Sequence, residues 1–193
     1  MKTETIADIL QGKDINSEDA IVTLSDKIWE IGSLAEIKRQ VSADVFTFHI
    51  VANVIGNYKC DGWQYIIEEH ADLLPFISNA MSEMGIREIG EYTKDLSHIF
   101  PIPINVLSLS GDDYCEVVNF LHGTRIGKFF SLTIDELKKY SPEERKILVG
   151  KYEQAIELLN KASEQWNYGT PDNEGWGVVS RYLEKHLHSK FWK

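Results

Sequence analysis

Between Leu34 and Ile55 the chain carries an apolar stripe at helical spacing: Ile37, Val41, Val45, Phe48, Ala52 and Ile55. Its second half, FTFHIVANVI at 46–55, is apolar nearly all round, because Phe46, Ile50, Val51 and Val54 fill the remaining faces. A helix with no polar face has to be covered on most sides. This predicts a long central helix over about 34–55 with the rest of the chain wrapped around it. No apolar run approaches the roughly 18 residues that cross a bilayer, so no membrane association is expected.

The flanking segments supply the wrapping. Residues 3–11 read as a short helix stopped by Gly12. Ser17 opens a second, with Ile21, Leu24, Ile28 and Ile31 on one face and Gly32 at its end. After the central helix, Trp63, Ile66, Ile67, His70 and Leu74 repeat the 3-4 spacing. Asp72 stands where it can cap a segment with Pro75 in its first turn. Phe76 to Met84 and Ile86 to Ile99 give two more apolar faces. FPIPI at 100–104 is an extended connector, since two prolines two apart cannot sit inside a helix. VLSLS at 106–110 reads as a short strand without an evident partner, and RIGKFFSL at 125–132 as loop. A helix follows from Asp112 or Asp113 to near Gly123. Thr133 with Glu136, and Ser141 with Glu144, have capping-box spacing. A long helix runs from Pro142 along Leu148, Tyr152, Ala155, Leu159 and Trp166, and a last one over 176–190. The expectation is an all-α, single-domain multi-helix bundle over residues 1–193, with a peripheral C-terminal part from about 133.

Charge is unevenly placed. The chain has 30 acids and 20 bases, a formal net charge of −10. Residues 61–120 hold eleven acids against Arg87 and Lys94, and so nearly all of the excess. Such a field opposes direct binding to nucleic-acid phosphates and suits a basic protein partner. The last segment, RYLEKHLHSKFWK, is basic and aromatic, which suits docking on an acidic face or in a homo-oligomer. With two cysteines and no basic-then-apolar leader, a cytoplasmic, reduced protein is expected.

Motifs for chemistry are sparse. No C-x-x-C, H-E-x-x-H, G-x-S-x-G, P-loop or G-x-G-x-x-G occurs, so no metal, cofactor or catalytic residue is assigned. His49 and His70 lie on apolar stripes, where a hydrogen-bonded core histidine is the ordinary role. The leading reading is a non-enzymatic acidic interaction protein. Its contact residues are Glu68, Glu69, Asp72, Glu88, Glu91 and Asp95, of which the last three share a helix face at spacings of three and four. The alternative is a small-ligand-binding protein or enzyme at the corner GNYKCDGWQYI, 56–66, built from Cys60, Trp63, Tyr65 and His70. That corner has an echo: NYKCDGW at 57–63 and NYGTPDNEGW at 167–176 both read Asn-Tyr, insert, acid-Gly-Trp. Shared turn chemistry accounts for it, with Asp or Asn at a helix start and Gly to turn the chain.

GNYKCDGWQYIIEEHADLLPFISNAMSEMGI resembles the signature region of a family of small acidic bacterial helical proteins of unknown function that includes a DNA-mimic protein. Asn57 and Gly62 match its corner, Trp63, Gln64 and Tyr65 its aromatic start, and Met84-Gly85-Ile86 its end. The family's doubled Asn and doubled Gly are replaced here by Tyr-Lys-Cys-Asp. The resemblance spans about residues 35–100. It implies an all-helical fold and a DNA-mimic or immunity-like role, with carboxylates standing where phosphates would.

Overall fold

Ser42 divides what the sequence runs together. Its hydroxyl accepts the Val45 N–H at 3.4 Å and starts a helix there, while Val41 is extended and pairs with Trp192. Serine is worth more as a cap than inside a helix. The expected helix over 34–55 is therefore two: α3, Leu34–Gln40, and the central α4, Ala43–Glu69.

The computed structural model describes residues 4–105, 111–122 and 132–193. Besides α3 and α4 it contains α1 (Ile6–Leu10), α2 (Glu18–Trp29), α5 (Leu74–Glu83), α6 (Arg87–Ile99), α7 (Asp112–Leu121), α8 (Pro142–Ala162) and α9 (Trp176–His186). Among the described residues, β-pairing is limited to two isolated bridges, and the fold is all-α as expected. The strand expected at 106–110, and nearly all of the loop at 125–132, lie outside the described residues.

α4 is the central element. Val45, Phe48, Ile50, Val51, Val54 and Ile55 are wholly enclosed, by α2, α5, α8 and α9. Each such side chain contributes about 1.5–3 kcal/mol on leaving water. The helix also outruns its expected end. Gly56 stays helical beside the ring of Trp176, and the chain leaves helical geometry only at Asp61 (φ −154°, ψ 22°) and Gly62 (φ 72°, ψ −170°). The second of these conformations is open to glycine almost alone. What the sequence presents as a corner is a helix with a single sharp break. Packing against α9 overrides the weak helix propensity of Gly56 and Asn57.

α5 and α6 form a hairpin on one side of α4, fastened where the Ser78 hydroxyl donates to the Gly90 carbonyl at 2.7 Å. α8 lies across α6, α7 and the second half of α4. The C-terminal tail runs back between the chain's start and the α3–α4 junction. Phe191 N–H donates to Glu4 O (2.8 Å), Ser42 N–H to Phe191 O (2.9 Å) and Lys193 N–H to Gln40 O (2.9 Å), with the Phe191 ring fully buried.

Two capping expectations need correction. Asp72 caps nothing: α5 and the 3-10 turn before it have no side-chain cap. Thr133 does not pair with Glu136. Its N–H donates instead to the buried carboxylate of Glu116 at 2.7 Å, joined by its own hydroxyl and by the Ile134 N–H at 2.9 Å. Burial alone would raise the Glu116 carboxyl, but these bonds outweigh it and hold it below the usual range. The Ser141–Glu144 box forms as expected.

Candidate functional site

The corner residues do not converge on a cavity. Trp63 is wholly buried, its indole N–H donating to Ser163 Oγ at 2.9 Å and its ring 6.3 Å from that of Trp166. Cys60 is exposed on the other side of the break. Tyr65 meets His70 edge-on at 5.1 Å, and His70 Nε2 is buried without a partner. The sulfur faces solvent and the indole is packed away, so the two share no pocket.

The echo has a three-dimensional counterpart. The two Asn-Tyr corners face each other. Lys59 Nζ lies 2.7 Å from Glu174 Oε2, with the rings of Tyr168 and Trp176 4.7 and 5.3 Å from the ammonium. Glu174 also accepts the Gly169 N–H at 2.7 Å, and the two bonds hold its carboxyl below the usual range. Asp172, Asn173, Glu174 and Gly175 are four consecutive residues at positive φ. A paired Arg181–Asp172 contact at 2.6 and 2.9 Å holds that turn from the other side. Lys59 follows the Asn-Tyr of one corner while Glu174 precedes the Gly-Trp of the other, so the echo itself did not signal this contact.

The six acidic residues divide into engaged and free. Glu68 Oε1 accepts from Gln64 Nε2 at 2.6 Å and lies 3.1 Å from His122 Nε2. Glu88 accepts the Tyr92 hydroxyl at 3.1 Å. Glu69, Asp72, Glu91 and Asp95 are exposed and make no ion pair. Every ion pair between described residues that uses a lysine or arginine takes its acid from outside residues 61–120: Asp19, Glu30, Asp135, Asp172 and Glu174.

A polar cluster that the sequence reading missed sits where α4 meets α7 and α8. Gln64 Nε2 is 2.7 Å from His122 Nε2, and the Tyr152 hydroxyl reaches Gln64 Oε1 at 3.4 Å. Arg145 fixes the end of α7 by donating to the Phe120 and His122 carbonyls, both at 3.0 Å. Beside the cluster lies a cavity of about 150 Å³ lined by Glu68, Glu69, Tyr114, Cys115, Val118 and Asn119. Partners 54 to 88 residues apart left no local pattern in the sequence. No group of three His, Cys, Asp or Glu among the described residues is placed to hold a metal ion. No protein-family model matches this chain, and neither a curated protein nor a solved structure is found to be similar to it.

Proposed function

We propose that this protein is an acidic, non-enzymatic interaction protein that engages a basic protein surface through Glu69, Asp72, Glu91 and Asp95. One observation carries the reading: these carboxylates lie free on the surface, while, among the described residues, the lysines and arginines that form ion pairs neutralise acids elsewhere. An unpaired, exposed carboxylate keeps its full field for an incoming cation and has no internal bond to surrender on binding. A DNA-mimic or immunity-like role is the specific form that the resemblance over residues 35–100 implies, with Glu68 and Glu88 at the border of the contact.

The test uses a fluorescent oligolysine peptide as the basic probe, titrated at rising salt. Affinity falls steeply with ionic strength. Neutralising the four residues (E69Q, D72N, E91Q, D95N) weakens binding more than removing four carboxylates elsewhere (D19N, E30Q, D135N, E184Q). Equal losses, or affinity indifferent to salt, refute the reading.

The small-ligand reading is favoured by a different observation from the one that first suggested it: the Gln64–Glu68–His122 cluster beside a cavity. Saturable binding of a small ammonium or guanidinium compound, abolished by H122A, would support it.

A further inference from the structure

Beside the start of α4 the protein leaves a space that its own side chains do not fill. A cavity of about 260 Å³ opens there, bounded by α3, α4, α5 and the C-terminal tail. Val41, Phe46, Phe76 and Ala80 make its apolar wall. The two rings meet edge-on at 5.2 Å and are only half-buried. A space of roughly 150 Å³ with apolar walls is enough for benzene, so this one has room for a single ring with a short chain attached.

Charge at this cavity is the reverse of the charge on the whole molecule. Lys38 Nζ stands 4.4 Å from the centre of the Phe76 ring and 6.0 Å from that of Phe46. Lys193, brought alongside by the tail, donates its ammonium to the Lys38 carbonyl. Neither lysine takes part in an ion pair among the described residues, although the chain holds 30 acids against 20 bases. Ser42 and Ala43 also line the cavity, and they add the positive end of α4. One carboxylate shares the wall, that of Glu83, which accepts the Thr47 hydroxyl at 2.7 Å. It stands two turns beyond Phe76 on α5, roughly 10 Å along the helix.

We propose that this cavity binds a small aromatic monocarboxylate, its ring against Phe46 and Phe76 and its carboxylate on Lys38 and Lys193. Apolar walls with a few placed charges are what small-molecule sites are made of. The Lys38 ammonium is seated on an aromatic face before any ligand arrives, so binding has less to order. Glu83 sets the limit on what enters. Its charge opposes a second carboxylate at the far end of the ring, so the site rejects dicarboxylates. The cavity shares no residue with the acidic surface or with the Gln64–Glu68–His122 cluster, and its variants leave both untouched.

Isothermal titration calorimetry with hydrocinnamate at about 20 mM salt tests this, since low ionic strength leaves the lysines unscreened. A Kd of about 1 mM or tighter is expected for a ligand of this size. The neutral hydrocinnamamide, and the dicarboxylate terephthalate, each bind at least about tenfold more weakly. K38M weakens hydrocinnamate about tenfold and removes its advantage over the amide, whereas K38R stays within about threefold of the parent. A43W, which places a large ring at the cavity from an exposed position, abolishes binding. Lys38 and Ala43 are exposed, so these variants keep the parent's melting temperature, and the comparison of acid with amide needs no variant at all. No saturable binding below about 10 mM, an amide or a dicarboxylate as tight as the monocarboxylate, or K38M within about twofold of the parent overturns the proposal.

Discussion

His49 has no exposed surface, and its ring lies edge-on to Trp29 at 4.6 Å, with one nitrogen 3.3 Å from the Asn53 amide and the other without a partner. Burial pulls its pKa down to about 4 from 6.5. The unfolded chain therefore binds the proton more readily than the folded one. Stability from this residue is complete above pH 6.5 and drains away as pH falls toward 4. Between pH 7.5 and 5 the loss is about 2 kcal/mol. Urea unfolding at the two pH values should register it in the parent and lose most of it in H49M, which keeps the volume without the titration. The apolar stripe marked His49 as a core residue, but its missing second partner was not legible, because a partner depends on which neighbour happens to lie across the helix. Trp63 teaches the same lesson. Its burial followed from the 3-4 spacing it shares with Ile66 and Ile67, whereas Ser163, the acceptor of its N–H, lies on a distant part of the chain.

At the scale of elements, the turn at 172–175 is the most constrained piece. Three non-glycine residues there hold positive φ, each at a cost of about 1 kcal/mol or more, offset by the Lys59–Glu174 and Arg181–Asp172 pairs. Gly175 ends the turn at φ 89°, and a Cβ there would stand 2.4 Å from Trp166 Cδ1. G175A should therefore destabilise the protein by about 2 kcal/mol or more, since it adds backbone strain to a clash with a buried ring. Chemical denaturation followed by tryptophan fluorescence checks this directly. The helices themselves were largely legible, because caps such as Ser17 and Ser141 use local bonds. The boundary at Ser42 was not seen, since the apolar stripe continues across it. The long reach of α4 was hidden by Gly56 and Asn57, which look like a stop until the ring of Trp176 is placed beside them.

Over the whole molecule, charge is the dominant unspent term. The net −10 is concentrated in residues 61–120, which hold few bases, so like charges repel along that stretch. Raising salt from about 20 mM to about 300 mM shortens the screening length several-fold and should raise the melting temperature by a few degrees. Scanning calorimetry at constant pH measures it, and a falling melting temperature would mean that the internal ion pairs outweigh the repulsion. The charge imbalance was plain in the sequence. Which carboxylates remain free was only partly so: Tyr92 sits one turn from Glu88 on the same helix, whereas His122 reaches Glu68 only through the fold.

The C-terminal strand of contacts also sets an order of events. Phe191 closes a gap between Glu4 and Ser42, both far from it in sequence. Joining segments this distant costs more entropy than any local contact, and such contacts form late. While the polypeptide is being synthesised, the apolar seat beneath Phe191 stays open until residue 191 has been made. For that interval the growing chain carries an incomplete core.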